Sequence, residues 1–342
     1  SFTRPYPMSS QPWICSMRSP EAHRELILVG TESIAEFCGA YKGELAGLAA
    51  AACWALTSLI FSRVPAPAGA IALFKNSVSC GFLLLTLLLL SGESGAFDFV
   101  YEADLATWLY LGGSALSGLV LGDTCYFRSL QILGPRRTLV VTTLVPPIGA
   151  LCGWLLLSET LSWLAWAGIG LTVGGVIWVI REKSDQDESQ GHFPGSTAAG
   201  VRFGLLACAG QALAAALAKG PMKDGLGALE ATLLRMVLAV FIGTLAAAAA
   251  GKLPAWTAKL RARETWLPLI PASFFGTYLG VWLCMYAYEH TKIGVATTMH
   301  STSPIFIIPL AFFALRQRTS ARAILGAAIA VAGIFLLFQS ER

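Results

Sequence analysis

The chain has 342 residues, 55% of them hydrophobic and only 13% charged, with a mean hydropathy of +0.64. Soluble domains carry about 25% charged residues, so this composition excludes a water-facing fold and points to a polytopic membrane protein, all-α by the helix-length apolar runs that follow. The net charge of +4 is spread over short loops and leaves no footprint for nucleic acid.

Residues 1–43 differ from the rest, with mixed charge, three prolines before position 13 and no long apolar run. The stretch Leu26–Gly30 is too short for the core of a signal peptide, and Met8 and Met17 are candidate starts. A poorly ordered extension with one short surface helix is expected here. From Glu44 onward, uncharged runs cover 45–62, 105–122, 138–158 and 160–180, and the run 64–92 is interrupted only by Lys75. About 20 residues at a rise of 1.5 Å span the hydrocarbon core, which predicts helices near 45–63, 68–91, 105–130, 137–157 and 161–181. The segment 182–201 is rich in Ser, Gly, Gln and charge, cannot bury a core, and reads as a polar surface linker. Helices are then expected near 203–219, 227–250, 265–289, 294–315 and 321–338, with Arg235 alone interrupting the second, and 339–342 remain as a tail.

The two sets of helices are copies. Trp108–Ile180 lies without a gap over Trp266–Phe338 at a shift of 158 positions. In that register Gly118 meets Gly276, Gly122 meets Gly280, Pro146 meets Pro304, Gly168 meets Gly326 and Gly175 meets Gly333. Apolar sequence aligns Leu with Ala by chance, but not Trp, Pro and several Gly together, so the chain is a duplication. With small gaps the match extends forward: GLAAAACWALTSL beside GLLACAGQALAAAL sets Trp54 opposite Gln211, and ALFKNSV beside TLLRMVL sets Lys75 opposite Arg235. Five helices is an odd number, so a linker that stays on one side gives the halves 44–181 and 202–338 opposite orientation. The expected architecture is ten transmembrane helices in an inverted repeat.

Lys and Arg number thirteen in the odd-numbered loops and five on the other side from Lys42 onward, or eight with Arg4, Arg18 and Arg24. Loop 2–3, with Glu93, Asp98, Glu102 and Asp104 and no base, reads as external. The positive-inside rule thus favours external termini.

Lys75 and Arg235 are the sharpest candidates for function. A cation inside a spanning helix costs roughly 2.5–3.5 kcal/mol on insertion scales, and the repeat places these two at equivalent depths in opposite leaflets. They either face a central cavity and attract a carboxylate or phosphate, or snorkel their stems to the nearer interface. Trp54 and Gln211, at matched sites on the first helix of each half, either line the same cavity or pack between helices. Pro146 and Pro304 break the fourth helix of each half and are candidate hinges, or static bends. Thr142, Thr143, His300, Ser301 and Ser303 form polar ladders beside them, of which Thr142 and His300 are candidate substrate contacts. Asp123 and Arg128 are five apart and share no helix face, so Asp123 reads as a helix-end or partner-helix contact.

Eight cysteines sit singly, without C-x-x-C spacing, and only His300 of four histidines falls in a helix; neither a metal site nor a cofactor is expected. The same shortage argues against a membrane-embedded enzyme. Gly170 and Gly174 form a G-x-x-x-G that suits close helix contact, including a homodimer.

The stretches GDTCYFRSLQILGPRRT and LVPPIGALCGWLLLSETLSWLAWAGIGLTVGGVIWV, with their mid-helix proline, L-S-E-T-L-S turn and Gly-rich last helix, resemble an EamA-type repeat of the drug/metabolite transporter superfamily. AACWALTSL is similar to the early Trp motif of that family, and ALFKNSV to its basic position on the second helix. The resemblance implies ten helices in two inverted halves, a central cavity, and transport of small solutes by alternating access. It also implies export of amino acids, related metabolites or drugs across a plasma membrane of the bacterial inner-membrane type, with cytoplasmic termini, against the charge count. The second half departs from the pattern with Gln317 where the first has Glu159. The first helix holds no buried acid of the kind that lipophilic-cation exporters use, only Glu44 at its mouth. With Lys75 and Arg235 present, anionic or zwitterionic metabolites are the expected substrates, and a lipophilic-cation exporter or a lipid flippase is the alternative.

Overall fold

A computed structural model describes residues 39, 41–91, 97–157, 162–181, 195–291, 296, 299–315 and 320–339. Most of the expected extension 1–43, residues 182–194 of the linker and the turn positions Glu159 and Gln317 lie outside the described residues. Among those described, every element is helical.

The first half contains α1 (Lys42–Phe61), α2 (Ala68–Ser91), the short α3 (Asp98–Glu102), α4 (Leu105–Ser114), α5 (Asp123–Thr142), α6 (Val145–Leu157) and α7 (Trp163–Arg181). The second contains α8 (Thr197–Lys223), α9 (Ala228–Ala249), the short α10 (Leu253–Leu260), α11 (Arg263–Ser273), α12 (Gly280–His290), α13 (Ser303–Leu315) and α14 (Ala321–Gln339). Among the described residues, seven helical stretches are long and apolar enough to cross a membrane: Lys42–Phe61, Ala68–Leu90, Leu105–Thr142, Trp163–Arg181, Thr197–Lys223, Ala228–Ala249 and Arg263–His290. The outer surface carries large apolar groups such as Leu89, Trp163, Phe241 and Phe313, all more than half exposed. In water such a surface drives aggregation; against acyl chains it is solvated.

The duplication is visible in the backbone as well as the side chains. A π-helical stretch, Ala115–Gly122, joins α4 to α5, and another, Phe274–Leu279, joins α11 to α12. The 158-residue shift carries the first onto the second. Wider turns of this kind release a carbonyl from the helical ladder and are rare enough to mark a purpose. The shift also carries α3 onto the end of α10, short helices that sequence reading left as loops.

The expected third and fourth helices meet at Gly134, whose φ of 77° and ψ of 170° interrupt α5. Glycine takes this left-handed backbone without a Cβ penalty, and Pro135 restarts the helix where no amide donor is needed. The third helix therefore ends at Leu133 and the fourth begins at Pro135, slightly wider than 105–130 and 137–157.

The fourth helix is then broken at Thr143–Leu144, whose amides reach back only three residues, to Val140 and Val141, at 3.2 and 3.0 Å. Pro146 and Pro147 have no N–H to return to the carbonyls of Thr142 and Thr143, so the ladder stops there. In the second half Ser301–Thr302 makes the same turn before Pro304. Here the Ser303 hydroxyl donates to the His300 carbonyl at 2.9 Å, replacing the bond that Pro304 lacks.

The halves interlock by equivalent contacts: α1 packs on α12 and α13, α8 packs on α5 and α6, and α2 pairs with α9 and α7 with α14. In the α7–α14 contact a Cβ on Gly175 would lie 2.6 Å from the Gly326 carbonyl oxygen, and one on Gly333 2.5 Å from the Thr172 nitrogen. The backbones touch. Gly170 and Gly174 instead face outward with open space before them.

Candidate substrate cavity

A cavity of about 190 Å³ lies between the halves, walled by α1, α2, α5, α8, α9, α12, the two π-helical stretches and residues 300–303. Trp54, Lys75, Thr142, Gln211, Arg235 and His300 all line it. Pro146 and Pro304 do not; each stands just beyond a turn whose residues do, with Thr142 and Val145 on one side and Ser301 and Ser303 on the other.

Lys75 and Arg235 are 4% and 6% exposed, so neither ammonium nor guanidinium reaches an interface, and snorkelling is excluded. Lys75 Nζ stands 2.6 Å from Asp123 Oδ2 in a buried ion pair. It also donates to Asn76 Oδ1 at 2.8 Å, and Asn76 Nδ2 donates to the Leu119 carbonyl at 3.1 Å. The other oxygen of Asp123 accepts from Gln211 Nε2 at 3.2 Å. A buried charge is tolerable when paired and hydrogen-bonded, and Lys75 meets both conditions.

Arg235 does not. Its Nη1 approaches Met285 Sδ at 3.0 Å, its Nε has no partner, and no carboxylate among the described residues pairs with it. The repeat explains why: the position equivalent to Asp123 is Val281, which also lines the cavity. Two cations share one carboxylate, and the cavity carries an excess positive charge on the side of the second half.

Trp54 and Gln211 make one interaction in two chemistries. Trp54 Nε1 donates to the Gly276 carbonyl at 2.8 Å, and Gln211 Nε2 reaches the Gly118 carbonyl at 3.4 Å. Each receiving carbonyl sits in a π-helical stretch of the opposite half. Glycine is required there: a Cβ on Gly280 would lie 2.8 Å from Trp54 Nε1, and one on Gly118 2.6 Å from the Ala214 side chain. The glycines matched by the repeat are thus the seats of the first helix of each half.

Beside Arg235, His300 is packed edge-on against Trp54 and Tyr288, with ring centroids 5.3 and 5.5 Å apart. Its Nδ1 lies 3.6 Å from Cys284 Sγ, and its buried Nε2 has no partner among the described residues. Thr142 donates its hydroxyl to the Leu139 carbonyl at 2.7 Å, leaving oxygen lone pairs for the cavity. Asp123, Cys284 and Tyr288 also line the cavity and are not among the candidates read from sequence. For Asp123 the sequence shows an acid at the end of the apolar run 105–122, and its partners are on other helices. Among the described residues, no group of three His, Cys, Asp or Glu side chains could hold a metal ion.

Two helical repeats around a cavity lined by buried charged side chains fit a multi-pass membrane transporter. The chain belongs to the EamA-like transporter family, whose profile matches residues 41–181 and 198–339, one match for each half. It is 26% identical over 130 residues to the uncharacterized inner membrane transporter YedA of Escherichia coli strain K12, and equally to that of strain O157:H7. That alignment covers 38% of this chain and 41% of the relative, so the chain spans about two-fifths of the curated relatives it matches. A solved crystal structure shares the fold, with a TM-score of 0.58 and 15% identity over 86% of this chain and 96% of the other.

Proposed function

We propose that this chain is a secondary transporter that exports small carboxylate-bearing metabolites, amino acids or organic anions, by alternating access. In this reading ten helices form two inverted halves in a plasma membrane, as an inner membrane location is stated for YedA. The cavity between the halves opens to each side in turn, with the breaks before Pro146 and Pro304 as hinges. Gly170 and Gly174, exposed on α7, are the surface on which a second copy would pair.

The observation that carries the substrate class is Arg235: a buried guanidinium without a carboxylate, where its repeat partner Lys75 has one. Asp123 acts on Arg235 only from beyond ion-pair distance, and a ligand that brings its own carboxylate supplies the close partner this buried guanidinium lacks. Arginine offers a planar fork suited to bidentate carboxylate binding. The His300 Nε2 and the Trp54 and Tyr288 rings supply a polar and an aromatic wall for the remainder of the molecule. The positive excess disfavours a lipophilic cation.

The test is a thermal-shift panel on purified protein in detergent, spanning amino acids, organic anions, nucleosides and lipophilic cations. A ligand present at about 100 times its Kd stabilises the folded state by about 2.7 kcal/mol. Carboxylates are expected to raise the melting temperature of the wild type and not of Arg235→Ala. Stabilisation by lipophilic cations, or by carboxylates equally in both proteins, would sink the assignment.

A further inference from the structure

A second cavity lies on the flank of the molecule, between α2, the first π-helical stretch with the start of α5, and α9. Ala72, Leu73, Val120, Ala239, Gly243 and Ala247 form most of its wall. Small side chains along α9 hollow out a trough, and its rim residue Leu121 is 57% exposed, so the trough opens to the surrounding hydrocarbon. An apolar trough facing lipid is filled by an acyl chain, because an empty one forfeits the dispersion contacts of its lining.

One end of the trough is chemically different. Lys252 and Trp256 close it, and the helix α10 that carries Trp256 buries none of its residues. Trp256 is pinned by close packing: a Cβ on Gly69 would lie 2.5 Å from its ring. An indole at the end of an apolar trough is the usual marker of the headgroup level. Residues 251–264 hold Lys252, Lys259, Arg261 and Arg263 against the single acid Glu264. The equivalent region of the first half, around α3, holds Asp98, Glu102 and Asp104 and no base. Only one of the two related sites is electrostatically fitted to a phosphate.

We propose that this trough binds one anionic phospholipid, its acyl chain between α2 and α9 and its phosphate on Lys252 at the N-terminal end of α10. The site stands close behind the substrate cavity. Leu119 lines both, and Asn76, in the trough wall, holds the Lys75 ammonium. A bound chain therefore backs the wall that carries the Lys75–Asp123 pair, and lipid occupancy supports that pair's geometry.

The experiment is native mass spectrometry of the protein taken from mixed micelles of dioleoyl phosphatidylglycerol and dioleoyl phosphatidylcholine, with melting temperature measured in each lipid alone. The wild type is expected to keep one phosphatidylglycerol in preference to phosphatidylcholine and to melt higher in it. Each basic group near a membrane surface adds attraction equivalent to about fivefold in affinity, so Lys252→Ala should lower phosphatidylglycerol retention by about that factor. Gly243→Leu, whose new side chain projects into the trough, should lose the bound lipid of either kind. Lys223→Ala, an exposed base elsewhere, should match the wild type. Equal retention of the two lipids by the wild type overturns the proposal. So does unchanged retention in both Lys252→Ala and Gly243→Leu. Should Gly243→Leu not fold, Lys252→Ala, at an exposed position, decides alone.

Discussion

At the scale of single residues, the cavity depends on who owns a counter-charge. Asp123→Asn strands the Lys75 ammonium in the interior, and breaking a buried pair from one side costs about 3–5 kcal/mol. The double change Lys75→Met with Asp123→Leu removes both charges and should recover most of that loss in a denaturation series. Val281→Asp is the complementary change: it gives Arg235 an internal partner at the position Asp123 occupies in the other half. That variant should no longer be stabilised by carboxylates in the thermal panel, whatever its own stability. Lys75 and Arg235 were legible in the sequence because a lone cation in an apolar run stands out. Asp123 makes the partner-helix contacts its spacing from Arg128 suggests, to Lys75 on α2 and Gln211 on α8, but which helices supply them is not encoded in local spacing.

At the scale of elements, glycine contacts decide which helices meet. Gly175→Leu drives a side chain into the backbone of α14 and should cost at least about 1–3 kcal/mol, the range for overpacking. Gly81→Leu, on an exposed face of α2 with open space before it, should leave the melting temperature unchanged; equal losses from both would mean the α7–α14 packing is not as described. Apolar runs and matched prolines made the long helices and the two turns before Pro146 and Pro304 readable in advance. The π-helical stretches were not readable. Their helices are apolar all round, so no polar face exists whose phase could reveal a widened turn. Gly134, the corner between the third and fourth helices, was likewise hidden among other glycines until its backbone was seen.

At the scale of the whole molecule, the proposed inverted arrangement makes a test that needs no substrate. α3 and the end of α10 are equivalent under the 158-residue shift, so opposed halves place them on opposite faces of the membrane. In a background stripped of reactive cysteines, Asp98→Cys and Lys252→Cys should react with an impermeant maleimide from opposite sides of a sealed vesicle. Labelling of both from one side would replace the inverted repeat with a parallel one. The same measurement decides between the charge count, which favours external termini, and the resemblance, which implies cytoplasmic ones.

The unequal sharing of one carboxylate between two cations has a consequence for direction. Two identical modules facing each other would form a chamber that reads the same from either mouth, and a small polar guest would have no reason to prefer one pose. Keeping the acid in one copy and a valine in the other gives the chamber a head and a tail. Under the proposed transport of carboxylates, cargo lodged there takes a single orientation, acid group toward the second module, whichever mouth it enters by.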